Sequence, residues 1–252
     1  MTDNPYAPPA AELIREDDGD AQLPTTRTSI DLGEALAYPF QMPGWWKLYL
    51  ILGLVMLVPI AGFFVLFGWQ ARIFDRIRAG RSGVPDLDIG TDVRRGAKVF
   101  GSLMLNTMPL FLPIYGLFFA GMGVLEFGGE EMLPVALAIL LPSYLLMMVG
   151  ALAMNVLIPE LQRRAYLGQW LTLLRPRASY RAIRAAPTSY LLALVGMFLG
   201  NMIGSLGIVA CYFGIFLSMP IGYAIATHAI AQWSMIVDDI QHQQLAQGEG
   251  VS

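Results

Sequence analysis

The chain has 252 residues, 16 lysines and arginines against 19 acids for a net charge of −3, and 56% hydrophobic residues against 14% charged ones. A water-soluble domain carries nearer a quarter charged residues. A mean hydropathy of +0.55, with the apolar residues gathered in long runs, therefore excludes that class and selects a membrane. The single cysteine, Cys211, excludes an internal disulfide and any cysteine-based metal cluster.

Residues 1–34 hold eight acids, two arginines and several prolines. That is too little apolar surface to offset ordering, so a disordered acidic tail on the cytoplasmic side is expected, and a cleavable leader is not. Within it Asn4, Pro5, Tyr6, Ala7, Pro8 and Pro9 form an extended patch with one aromatic anchor. This is either an inert stretch or a motif that docks a protein partner. Ser29 or Asp31 suits a helix cap. Ala35–Phe40 is short and apolar, and Pro43-Gly44 ends it. Trp45, Trp46 and Lys47 then mark a headgroup boundary, with Trp69 at the other end of the following run.

That run, Leu48–Gly68, has no charged residue and matches the ~20 apolar residues that cross a bilayer as one helix. Pro59 to Gly62 interrupts it and leaves two arrangements. A single kinked helix would put the N-terminus outside the cytoplasm. A hairpin with arms near Trp45–Val58 and Ala61–Ile77 would put it inside, and is preferred because the last apolar stretch is organised as one. Its arms, about 15 residues each, would reach only about 22 Å.

Ala71–Lys98 is expected to be a basic cytoplasmic loop whose first part continues a helix as far as Gly80. Further spans are expected over Val99–Val124, kinked by Pro109 and Pro113, and over Met132–Ile158. Pro159–Pro187 reads as a second cytoplasmic loop in which Leu171–Leu174, Tyr180 and Ile183 suggest a helix lying flat on the membrane. Thirteen of the 16 basic residues fall in 72–98 and 163–184, whereas the link Glu126–Glu131 has three acids and no base. The positive-inside rule puts both basic segments in the cytoplasm. Thr188–Trp233 is long enough for two spans broken near Gly204–Gly207. There Gly196, Gly200 and Gly204 make two overlapping GxxxG steps suited to close helix packing. The expected fold is all-α, a polytopic transmembrane bundle of five or six helices, six preferred and arranged as three hairpins, with an interfacial helix. The domains are a tail over 1–34, the helical bundle over 35–237 and a short polar tail over 238–252.

Tyr38-Pro39-Phe40, Pro43-Gly44-Trp45-Trp46-Lys47, Pro59-Ile60-Ala61-Gly62 and Gly68-Trp69-Gln70-Ala71-Arg72 occur in that order. Val84-Pro85-Asp86-Leu87-Asp88 follows, with Leu87 in place of an aromatic, and Arg181–Tyr190 leads into the last hairpin. In these elements, spread over most of residues 35–235, the chain resembles the DUF4013 family of bacterial and archaeal membrane proteins. The resemblance implies the same layout. It brings no established activity.

An ionisable residue inside a span is the usual sign of an ion or proton path. Between Thr188 and Gln232 only His228 qualifies, and it is read as a hydrogen-bonded interfacial histidine. Glu160 is expected to pair with Arg163 or Arg164. Asn106, Asn155 and Asn201 sit at membrane depth in three helices. They either converge on a polar cavity or, as preferred, bond across helix contacts. Arg175, Arg177, Arg181 and Arg184 either set topology or touch lipid headgroups. No metal spacing, P-loop, dinucleotide fingerprint or nucleophile elbow occurs. The expectation is therefore a non-enzymatic scaffold in the bacterial plasma membrane, without cofactor, metal or nucleic acid. Its partners would be the lipid bilayer and a protein held by the tail. The alternative is a transporter or permeation accessory for an uncharged or amphiphilic solute.

Overall fold

The structure, a computed structural model, describes residues 27–170, 176–208 and 213–246, and the fold is all-helical. In chain order the helices are α1 (Leu32–Ala37), α2 (Trp45–Met56), α3 (Ala61–Arg78), α4 (Ile89–Phe127), α5 (Leu133–Tyr166), α6 (Pro176–Ala185), α7 (Pro187–Leu206) and α8 (Phe213–Ala246). Two 3-10 turns, Tyr38–Phe40 and Glu130–Met132, link α1 to α2 and α4 to α5. Among the described residues four helices are long and apolar enough to cross a membrane: those within Ile89–Phe127, Glu130–Tyr166, Pro187–Leu206 and Gly214–Gln244. Trp45–Met56 is apolar but has only 12 residues, about 18 Å of helix.

The run that begins at Leu48 is two helices, separated where Pro59 and Ile60 cannot continue one. Ala61 N donates to Pro59 O at 2.7 Å across Ile60, whose φ is 67° and ψ −58°. This is the strained hand of the γ-turn, occupied by a β-branched residue for which positive φ is an outlier. Ile60→Gly removes the Cβ clash at a small cost in chain entropy. It is expected to raise stability by about 1 kcal/mol, read as a higher melting temperature in detergent.

Parts of two expected loops are helix. In Ala71–Lys98 α3 continues to Arg78, close to the expected stop at Gly80, but α4 begins ten residues before Val99. Asp88 caps α4: its Oδ1 accepts from Thr91 N at 3.2 Å and its Oδ2 from the Thr91 hydroxyl at 2.8 Å. Asp92 accepts in return from Asp88 N at 3.1 Å. The short link before it is tied down by Trp69 Nε1 on Pro85 O at 3.0 Å and by the Tyr38 hydroxyl on Gly83 O at 2.8 Å. Leu87 packs against the core rather than outward. Likewise α5 passes through Pro159 to Tyr166, so the second basic loop starts later than expected.

The core is built by α3 and α8, with α1, α2, the end of α5 and α7 around them. Trp69, Phe74, Ile77, Ile225, Ile230 and Trp233 are fully enclosed. The inner parts of the two segments expected to be tails, near Ile30 and Ile240, belong to it. Ile30 is buried with Ala193, Trp233 and Val237, and α8 continues to Ala246. The ordered unit therefore begins before residue 35 and extends past 237. By contrast, the apolar middles of α4 and α5 pack mainly on each other, as where Gly121 meets Ile139 and Leu140, and are otherwise almost bare. At 39 and 34 residues they are about 58 and 51 Å long, well beyond the ~30 Å of a bilayer core.

Candidate functional site

The segment Arg27–Phe40 lies as a strap on α8, where Ile30, Ala35 and Tyr38 are buried and polar groups add a network of hydrogen bonds. Arg27 grips Glu34 with both terminal nitrogens, at 2.6 and 2.9 Å. Asp31 caps α1 by accepting from Glu34 N at 3.0 Å, while its own N–H donates to Gln232 Oε1 at 2.8 Å. Gln232 Nε2 then donates to Glu34 Oε2 at 3.2 Å and stands 3.2 Å from His228 Nδ1. The Tyr38 ring leans on the His228 ring with centroids 4.6 Å apart, and His228 Nε2 is 3.5 Å from Glu34 Oε1. His228 and Gln232 are fully buried. His228, and after it Arg27, hold the Glu34 carboxyl down to about 2 despite its partial burial. The carboxylate is therefore ionised, and accepts these bonds, throughout the physiological range.

One turn deeper, Gln70 of α3 accepts from the Tyr166 hydroxyl at 2.8 Å and from the Thr227 hydroxyl at 3.4 Å. This joins α3, α5 and α8 beneath the strap. Among the described residues no cluster of histidine, cysteine and acid side chains gathers to hold a metal ion. The chemistry of the arrangement is a latch: charge-assisted hydrogen bonds fix the start of the chain against its last helix.

A second ionic cluster stands beside it. Glu160, 1% exposed, accepts from Arg163 Nε at 2.8 Å and also from Arg164 Nε. Arg163 lies over the Trp233 ring at 5.3 Å and 3.8 Å from Asp238, which also pairs with Arg78 at 2.6 Å. Glu160 thus pairs with both arginines, and the cluster ties α5 to α3 and α8.

The glycine ladder of α7 faces α8. A Cβ on Gly200 would run into the Gly222 carbonyl, and one on Gly196 into the Ala229 side chain. Gly204 faces Met219. The three asparagines do not meet. Asn106 is buried and donates to Ser102 O at 2.6 Å and Trp170 O at 2.8 Å. Asn155 is exposed and donates to Ala151 O in its own helix at 2.9 Å. Asn201 lines a cavity of about 110 Å³ with Ser205 and Tyr223, far below the ~300 Å³ at which small-molecule sites begin. Arg177, Arg181 and Arg184 lie exposed on α6. Arg175 and the patch Asn4, Pro5, Tyr6, Pro8 and Pro9 lie outside the described residues. Sequence reasoning missed the latch residues Glu34, Gln70 and Gln232. Their signal was two glutamines, each beside a tryptophan (Trp69-Gln70 and Gln232-Trp233), inside otherwise apolar stretches.

No curated protein and no solved structure matches the chain. The profile of the family described as "Protein of unknown function (DUF4013)" matches residues 51–227, leaving outside it the strap and the Tyr38–Lys47 elements. That match covers more than half of the sequence, and the chain belongs to the DUF4013 family.

Proposed function

We infer that the protein is a non-enzymatic scaffold of the bacterial plasma membrane, with its basic segments in the cytoplasm and its N-terminal tail offered to a protein partner. The latch carries this reading. A tail with no role needs no fixed attachment, yet the residues that follow it are clamped by Asp31 and Glu34 onto the buried Gln232 of α8, with Arg27 bracing Glu34. In this arrangement α4, α5, α7 and α8 cross the bilayer, while α2 and α3 enter it as a shorter hairpin. The alternative, a transporter or permeation accessory, is motivated by the proline-broken spans and by Asn106, Asn155 and Asn201, and the separate surroundings of the three asparagines leave it without a shared polar cavity.

The test is co-purification in mild detergent, with bound proteins identified by mass spectrometry. Deleting residues 1–26 is expected to remove a specific protein while the melting temperature stays unchanged. Glu34→Ala loses hydrogen bonds to charged groups worth about 1.5–3 kcal/mol each. It is expected to leave the bundle folded, to free the strap so that trypsin cuts after Arg27 at least about tenfold faster, and to weaken the same capture. A partner profile unchanged by both variants would overturn the reading.

A further inference from the structure

We propose that the outer face of α6 is a binding surface for the headgroups of anionic phospholipids. The inference rests on the chain lying in a bilayer, and not on its tail having a partner.

Ten of the basic residues in α3 to α6 fall into two groups. One is spent inside the protein: Arg72 on Asp92, Arg78 on Asp238, Arg95 on Asp75, and Arg163 and Arg164 on Glu160. The other comprises Arg94 and Lys98 of α4 and Arg177, Arg181 and Arg184 of α6. These form no ion pair among the described residues, and all five are exposed. Charges needed only to set topology would serve equally well in internal pairs.

Their placement is regular. Positions 177, 180, 181 and 184 recur at helical spacing on one face, so Tyr180 joins the three arginines there, 63% exposed. The opposite face packs inward, where Ala182, Ile183 and Ala186 meet Trp233, Ile236 and Val237. The helix is therefore held with its basic stripe outward.

The helix that follows places that stripe at the lipid boundary, and α4 shows the same changeover along its own length. After α6 the chain enters α7 at Pro187, and the exposed side of α7 becomes apolar with Leu191, Val195, Phe198 and Met202. Along α4 the exposed bases Arg94 and Lys98 give way to exposed Leu105 and Met108. Beside that changeover stands Trp170, half exposed, against Gly101 and Asn106. An aromatic ring at the level where bases stop and apolar side chains begin is the anatomy of a membrane interface. Each base near an anionic leaflet contributes about fivefold in binding, and the planar guanidinium suits phosphate oxygens.

The experiment places the full-length protein in nanodiscs of equal parts phosphatidylcholine and phosphatidylglycerol, and counts the lipids it retains by native mass spectrometry. The wild type is expected to keep phosphatidylglycerol in preference. Changing Arg177, Arg181 and Arg184 together to Gln should reduce that preference by up to about a hundredfold with an unchanged melting temperature, and changing them to Lys should retain most of it. Raising the salt should weaken the wild-type preference, a measurement that does not depend on any variant folding. Equal retention of the two lipids by the wild type, or a preference untouched by the Gln changes and by salt, would overturn the proposal. Loss of the partner on deleting residues 1–26 is a separate outcome and bears only on the scaffold reading.

Discussion

Gly96→Leu is expected to leave no stably folded protein. At the crossing of α3 and α4 a Cβ on Gly96 would fall on the Phe64 carbonyl and 2.7 Å from Gly68 N, and one on Gly68 would fall on the Asp92 carbonyl. Every one of those atoms is backbone, so no rotamer change relieves the overlap and the helices must part. Overpacking where side chains can shift costs about 1–3 kcal/mol. Here the separation also pulls Arg72 away from Asp92, which it grips with two nitrogens at 2.7 Å, leaving a buried carboxylate unpaired. A loss above about 3 kcal/mol follows, read as aggregation on size exclusion and a collapsed melting transition. Gly116, on the same helix with nothing near its missing Cβ, is the control: Gly116→Ala is expected to be neutral or slightly stabilising. Wild-type melting of Gly96→Leu would refute the crossing.

That crossing also marks what could be read in the sequence. Gly68 and Arg72, one turn apart, stood out as a motif, and the structure gives it a physical meaning: the glycine admits α4 and the arginine ties it. The break at Pro59 was legible because proline has no N–H to donate, and the α7 glycines were legible as a packing face. The start of α4 was not. A run holding Arg94, Arg95 and Lys98 resembles a solvated loop until Asp88 is seen to cap it and Asp75 to take Arg95 at 2.5 Å. The latch was harder still, because Asp31 and Gln232 are 201 positions apart and neither has a local pattern that calls for the other.

Glu160→Ala is expected to cost about 3–5 kcal/mol, the range for breaking a buried ion pair and stranding its partner. Two arginines, 6% and 5% exposed, depend on that carboxylate, and only Asp238 would remain to Arg163, at 3.8 Å. Changing Glu160, Arg163 and Arg164 together to Met takes away the stranded charges as well as the bonds, and should recover most of the loss. Thermal unfolding of wild type, single and triple variants checks both statements. A triple variant no more stable than Glu160→Ala would mean that the cluster acts through its Trp233 and Asp238 contacts rather than through charge balance.

The latch has a consequence for biosynthesis. Its strap leaves the ribosome well before its dock, α8. At about 5–20 residues per second, the 201 positions between them take about 10–40 s to make. Throughout that interval Asp31 and Glu34 have no partner on α8. The α4–α5 hairpin, which packs on itself, can enter the membrane during the same interval. Closure of the latch therefore waits for α8, and a nascent chain stalled before α8 would present a free strap that the finished protein does not.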